Sequence, residues 1–392
     1  MIPFNVPPVT GKELAYIEDV IHKGKLCGDG EYTKKCHAWF EKNIPAKKVL
    51  LTTSCTHALE MTAFLLDIKA GDEVIMPSYT FVSTANAFAI RGAKIIFVDI
   101  DPTTMNIDHS KIERAITKKT KAIIPVHYAG VSCDMDAINT LADKRDIAVI
   151  EDAAQSFMSG YKGKNSGSLG KFGCYSFHET KNISCGEGGL LIINDEKYIE
   201  QAEIIREKGT NRSRFLRGVV DKYTWVNKGS SYLPSELNAA YLFAQLENSE
   251  IIQKKRIYAW NLYMEGLKDL ENSGYIMLPH IPENVTHNAH MFYVKTKDIE
   301  ERCALMNYLK IKGIGSAFHY IPLHNSSQGK KCGSFLGTDK WTTRESERLL
   351  RLPLWYGITP DAILEVVDSV ISFYKINNEN DFHKKAYYMG NS

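Results

Sequence analysis

The stretch SFHETKNISCGEGG, Ser176 to Gly189, sets one lysine between the end of an apolar run, CYSF, and a glycine-rich loop. Lys181 is either an ordinary solvated loop lysine or a nucleophile toward an aldehyde, which requires that its ammonium form be disfavoured. A second candidate closes the apolar run DIAVIED, where Glu151 and Asp152 precede AAQS. A carboxylate at that place is costly to bury without a donor or a cation. Asp152 therefore either caps a following helix or holds a protonated ring nitrogen. The third is TTSCTHALEMTAFLL, which follows the run KVLL. Ser54, Cys55 and Thr56 open a helical pattern whose first amides and dipole suit an anion, although such a Ser or Thr also serves as a plain cap.

Singly, each feature is weak. Together, an anion cradle, a strand-end acid and a turn lysine meet the needs of pyridoxal 5′-phosphate: an anchor for its phosphate, a partner for its pyridinium and an amine for its aldehyde. The chemistry expected from the residues is that of this cofactor.

The elements that must position these groups alternate along the chain. Apolar runs KVLL, DEVIMP, AKIIFVDI, TKAIIPVHY, DIAVIED, GCYSF and GLLIIN are separated by helical stretches such as THALEMTAFLLDI and MDAINTLADKRD. This predicts an α/β fold with a mostly parallel sheet covered on both faces, and ligands at the carboxyl ends of its strands. With 392 residues the chain exceeds one ordinary core. We expect a large domain over 1–249, a smaller C-terminal α/β domain over 250–375, and a polar tail, 376–392, that frays. One long helix is expected from near Pro234, capped around Ser231 or Tyr232.

Composition narrows the classes. Forty-eight basic against 46 acidic residues leave a net charge of +2, which argues against a nucleic-acid or membrane-surface partner. The eight cysteines show no CxxC spacing, so neither a metal site nor a disulfide framework is expected. No secretion-signal pattern opens the chain and no apolar run approaches the roughly 20 residues of a membrane span. A cytoplasmic location is the expectation.

PSYTFVSTANA, VHYAG, EDAAQS, SFHETKN followed by GEGG, and IPLH make the chain similar to the nucleotide-sugar aminotransferases of the DegT/DnrJ/StrS type. The resemblance spans nearly all of it, from PFNVPPV to about residue 375. It implies the aspartate aminotransferase fold (fold type I) and, by position, roles for particular residues. Lys181 matches the lysine that bonds the cofactor's aldehyde, Asp152 the partner of the pyridinium, and Gln155 a neighbour of the ring hydroxyl. Ser54, Cys55, Thr56 and Ser176 match the phosphate cup. Phe81 matches the aromatic stacked on the ring, where many relatives carry Trp. Ser231, in GSSY, stands where relatives lend an Asn from a second subunit, so a homodimer with sites at its interface is implied.

The long runs KLCGDG, GDEVIMPSYTFVSTANAF, FHETKN, REKGTNRS, DKYTW, GSSYL and FHYIPLH resemble those members that use L-glutamate as donor and dTDP-4-dehydro-6-deoxyglucose as acceptor. Whether the new amine at sugar C4 is axial or equatorial stays open. In REKGTNRSRFLRG, Arg206, Lys208, Arg212, Arg214 and Arg217 either face anionic substrate groups or form a solvated surface. His178, His319, Tyr320 and His324 resemble the substrate-facing loops, the alternative for each being a satisfied core residue. A regulator that only binds the cofactor is the rival of another class, which the lack of a basic DNA-binding helix disfavours.

Overall fold

The computed structural model describes residues 1–389. Two larger sheets contain β1 Lys48–Thr52, β2 Glu73–Pro77, β3 Lys94–Val98, β4 Thr120–Ile123, β5 Ala148–Asp152, β6 Phe172–Ser176, β7 Gly189–Ile193, β8 Phe292–Lys295, β9 Ala317–Phe318, β10 Gly333–Phe335 and β11 Leu349–Leu352. The eight-stranded sheet has the order β1-β7-β6-β5-β4-β2-β3-β10. Its two antiparallel pairings both involve β7, and the remaining pairings are parallel. Since β1 and β6 each oppose β7, they point the same way, and β7 alone is reversed. The carboxyl ends of β1, β2, β4, β5 and β6 therefore gather on one edge, where β7 begins.

Strands without a polar face need cover on both sides. Every residue of β2, β5, β6 and β7 is buried. On one face Leu50, Met76, Ile150, Cys174 and Leu191 pack against the helices Cys55–Leu65, Val82–Ala89 and Ile199–Arg206. On the other, Val49, Leu51, Leu190 and Ile192 meet Glu31–Asn43 and Glu236–Glu247, while Ile75, Ile123 and Val149 meet His109–Ala115 and Met135–Asp143. The strand period of two sends alternate side chains to opposite cores.

A separate C-terminal core joins the three-stranded sheet β8-β11-β9 to the helices Ser249–Asn272, Ile299–Ile311 and Pro360–Met389 through Tyr263, Phe292, Leu305, Leu350 and Val366. Two crossings tie the cores together. Ile2, from the start of the chain, packs in the C-terminal core, and β10 returns to pair in parallel with β3 at the edge of the large sheet.

The single helix expected from Pro234 is two helices. Asn248, at φ −109° and ψ 8°, breaks it between Glu236–Glu247 and Ser249–Asn272. The cap is Ser235, whose hydroxyl accepts the Asn238 amide at 3.3 Å, rather than Ser231 or Tyr232. Ser231 instead bridges Glu207, and the Tyr232 carbonyl accepts the Thr53 amide. The polar stretch from 376 forms the end of the last helix as far as Met389, and residues 390–392 lie outside the described part.

Candidate active site

Strand alternation separates the two acids that end β5. Asp152 shares the face of Ala148 and Ile150, toward the start of the helix Cys55–Leu65. Its Oδ2 accepts from the Thr84 hydroxyl at 2.7 Å and its Oδ1 from the Ala154 amide at 3.2 Å. No helix follows, so Asp152 is not a helix cap; the next residues turn. Glu151 points the other way and is fully buried. It accepts the amides of Gly167, Leu169 and Gly170 at 2.6 Å each, and His127 Nε2 lies 2.8 Å away. Because His127 Nδ1 accepts the Cys133 amide, Nε2 is the nitrogen that donates to Glu151. Glu151 holds a loop; Asp152 faces the cavity.

The lysine loop leaves β6 and enters β7 on the same edge. Its neck is closed by Phe177 N to Gly188 O at 2.9 Å and Cys185 N to Phe177 O at 3.0 Å. Lys181 N donates to His178 O at 2.9 Å, and Asn182 Nδ2 donates to the Asn288 carbonyl at 2.7 Å. These bonds fix a backbone that a free loop would not fix, and the Lys181 side chain lines the cavity. Burial pushes its pKa below the ordinary lysine value; Cys55 and the Asp152 charge oppose that shift, and Arg351 adds to it. This is the shift a nucleophilic amine needs.

The anion cradle combines the helix start with two strand ends. Ser54 does cap its helix, its hydroxyl accepting the His57 amide at 3.1 Å. Among the described residues the amides of Cys55 and Thr56 have no acceptor within the chain. Gly189 stands opposite both Thr52 and Ser176. A Cβ on Gly189 would collide with the Ser54 carbonyl and the Cys55 amide nitrogen. The missing side chain lets the helix start sit against β7, so the Ser54, Thr56 and Ser176 hydroxyls open on one cavity.

That cavity, of about 570 Å³, is lined by Ser54, Cys55, Thr56, Phe81, Asp152, Gln155, Ser176, His178, Lys181, His319 and Tyr320 from the expected set. Gln155 Oε1 accepts the Ala129 amide at 2.7 Å and its Nε2 donates to the Tyr320 hydroxyl at 2.9 Å. Phe81 is 56 % exposed, which leaves its ring free to cover a ligand, and its centroid lies 6.2 Å from that of Tyr320. His319 packs on Tyr320 at 3.5 Å, and burial pushes its pKa well below the ordinary histidine value.

Seven expected residues lie outside the cavity lining: Arg206, Lys208, Arg212, Arg214, Arg217, Ser231 and His324. The Ser78 hydroxyl meets His324 Nδ1 at 2.7 Å, and Asp339 meets Nε2 at 3.1 Å, so both ring nitrogens are engaged behind the wall. Ser231 is exposed on the surface of its own protomer. The basic run is paired throughout: Arg206 with Asp29, Lys208 and Arg212 with Glu207, Arg214 with Glu200, and Arg217 with Glu203. Arg206 is buried, whereas the side chains of Lys208, Arg214 and Arg217 are largely exposed, so in this protomer the run is mostly solvated surface held by ion pairs. Conversely, the cavity includes Arg351, His290, Thr84 and Phe4, which the sequence did not single out. The C-terminal core or the first residues of the chain supply three of these, so no local motif marks them.

Residues 8–371 match the model of the DegT/DnrJ/EryC1/StrS aminotransferase family. The chain belongs to that family. It is 36 % identical over 396 residues to the uncharacterised protein MJ1066 of Methanocaldococcus jannaschii, covering 96 % of this chain and 98 % of that one. Among solved structures, the aminotransferase TlmJ from Streptoalloteichus hindustanus superposes with a TM-score of 0.88 at 28 % identity, over 96 % of this chain and 100 % of that one. Spr1654 from Streptococcus pneumoniae, in its PLP form, gives 0.86 at 26 %, over 95 % and 98 %.

This aminotransferase has the α/β fold of its family and is a pyridoxal phosphate-dependent sugar aminotransferase. The donor set fits the cofactor: amides and hydroxyls for its phosphate, Asp152 for its ring nitrogen, Lys181 for its aldehyde. Among the described residues no group of His, Cys, Asp and Glu could hold a metal ion, and no helix is long and apolar enough to cross a membrane.

Proposed function

We propose that this aminotransferase moves the amino group of L-glutamate to C4 of dTDP-4-dehydro-6-deoxyglucose, giving dTDP-4-amino-4,6-dideoxygalactose and 2-oxoglutarate. One observation supports this choice within the family. The stretches that carry the closer resemblance include cavity wall: Thr80 and Phe81 of SYTF, His178, Thr180 and Lys181 of FHETK, and His319 and Tyr320 of FHY. Similarity concentrated on substrate-facing positions bears on substrate, whereas similarity in a core bears on packing.

The division of labour follows from the geometry. When bound, the cofactor's ring supplies an electron sink for the carbon that loses its proton. Asp152 keeps the ring nitrogen protonated by presenting a carboxylate whose other contacts are one hydroxyl and one amide. The Cys55 and Thr56 amides with the Ser54, Thr56 and Ser176 hydroxyls hold the phosphate and fix the ring's register. Lys181, neutral once displaced by the donor, takes and returns the proton at the substrate carbon. Gln155 and Tyr320, joined by their hydrogen bond, orient the ring edge, and Phe81 covers its face.

The active unit in this reading is a homodimer. Ser231 is exposed, and the adjoining segment exposes Leu216 (63 %), Val219 (57 %) and Trp225 (77 %). Such apolar surface calls for cover. A second protomer would provide it and would receive Ser231 near its phosphate cradle.

The test is the product formed from dTDP-4-dehydro-6-deoxyglucose and glutamate. A small coupling between sugar protons H3 and H4 marks an axial amine and supports the galactose product. A large coupling marks the equatorial amine, and no product from this acceptor would overturn the substrate assignment.

A further inference from the structure

The segment HNAH, 287–290, stands just before β8 and ties three parts of the molecule together. Its backbone belongs to the C-terminal core. Arg256, buried in the helix Ser249–Asn272, donates to the carbonyls of Ala289 and His290 at 3.1 and 2.7 Å. Its side chains reach across to the loops at the edge of the large sheet. Asn288 Nδ2 donates to the carbonyls of Gln155 and Phe157 at 2.9 and 2.8 Å, and a Cβ on Gly130 would strike Asn288 Oδ1. These contacts fix the segment against the loop that follows Asp152. Asn182, the neighbour of Lys181, is held by the same segment: its Oδ1 lies 2.9 Å from His290 Nδ1, and its Nδ2 donates to the Asn288 carbonyl at 2.7 Å.

The Asn182 amide decides the tautomer of His290. Its Nδ2 is given to Asn288, so Oδ1 is the atom that faces the imidazole, and His290 Nδ1 is the donor. Burial first, then the charges of Lys181, Arg256 and Arg351, push the His290 pKa well below the ordinary histidine value. The ring is neutral, with its one proton on Nδ1. Its position in the lysine loop makes this bond count. Glu179 and Thr180 are exposed, and Asn182 is the first buried side chain past them. Asn182 and His290 are only 3 % and 5 % exposed, so neither finds a replacement partner in water.

We propose that His290 is a positioning residue for Lys181, acting through the hydrogen bond from its Nδ1 to Asn182. This rests on the reading of Lys181 as the amine that meets the cofactor. That amine must bond an aldehyde and then carry a proton, and both tasks need its nitrogen at a set place relative to the ring that Asp152 anchors. Asn288 fixes the loop after Asp152 and His290 fixes the loop of Lys181, so one short segment sets the spacing between them. A misplacement of about 1 Å costs on the order of 100-fold in rate.

Two substitutions separate the ring nitrogens. In His290→Asn the side-chain NH2 takes the place of Nδ1; in His290→Gln it takes that of Nε2. The readouts are the rate at which apoenzyme captures pyridoxal phosphate and the rate of the holoenzyme's half-reaction with L-glutamate, both followed by absorbance. His290→Gln should slow each by at least about tenfold while the apparent Kd for glutamate stays within about twofold. His290→Asn should keep both rates within about threefold of the unaltered protein, because the donor to Asn182 survives. Asn182→Ser, which leaves His290 in place, should match His290→Gln and carries the comparison if that variant does not fold. The reverse order, with His290→Gln the faster, overturns the proposal and puts Nε2 in contact with substrate or cofactor. Equal rates in His290→Asn and His290→Gln, whether normal or slowed, overturn it too. If the unaltered apoenzyme bonds pyridoxal phosphate on a residue other than Lys181, the reading of Lys181 fails, and this inference with it.

Discussion

Glu151 and Asp152 are neighbours in the chain, yet they serve opposite faces of the sheet. Glu151 accepts three backbone amides and faces His127, while Asp152 takes one hydroxyl and one amide and faces the lysine's cavity. One acid is committed to folding and the other is free for a ligand. The pair yields a matched experiment. Asp152→Asn should leave thermal unfolding nearly unchanged and abolish most activity, because an amide cannot balance a pyridinium charge. Glu151→Gln turns an NH2 group toward amide donors and should cost about 3 kcal/mol of stability. Wild-type kinetics in Asp152→Asn, or an unaltered melting temperature in Glu151→Gln, would break this division.

Lys181→Ala should lower turnover by about 10³-fold or more, since both the nucleophile and the proton carrier are removed. Cofactor affinity should survive in part through the phosphate cradle. Steady-state kinetics with saturating pyridoxal phosphate decide the matter, and near-normal turnover would remove Lys181 from the chemistry.

Much of this site was legible because its groups sit where local sequence marks them. Lys181 stands between a strand end and a Gly-rich loop, Asp152 closes an all-apolar run, and Ser54 opens a helix. The parallel sheet was legible too, since strands buried on both faces show no polar alternation. What stayed hidden depends on contacts between distant segments. Arg351 lies in RLLRLPL, where it reads as the exposed charge of an ordinary strand, and only the tertiary fold turns it toward Lys181. His290 follows a loop closed by Asn182 and Asn288, which no spacing announces. The pairing of Lys208 and Arg212 was hidden for another reason: Glu207, which both of them meet, is buried, and burial is not written in a charge run. The helix break at Asn248 rests on one residue of middling propensity, too weak a signal against two strong helices.

Gly189→Ala tests the cradle by geometry alone. The added methyl must push the Ser54–Cys55 backbone away from β7. The expected outcome is a rise of about tenfold or more in the Kd of apoenzyme for pyridoxal phosphate, equivalent to about 1.4 kcal/mol. Fluorescence titration measures it, and unchanged affinity would place the phosphate elsewhere.

The pH dependence of cofactor capture follows from Lys181. Burial lowers its pKa from 10.5, so the neutral amine is present at a lower pH than for a free lysine. The capture rate by apoenzyme should rise with pH and level off before 10.5. Removing the positive charge in Arg351→Met removes one cause of the lowering, so the rising limb should move to higher pH. A limb centred on the ordinary lysine value, or one that shifts downward in that variant, would contradict the electrostatics described.

The most direct test of the whole account is chemical. Borohydride added to the yellow holoenzyme should discharge its colour and leave the reduced coenzyme covalently attached, and peptide mass spectrometry should find it on Lys181. Coenzyme that washes away after reduction, or that is recovered on another residue, would contradict the central claim.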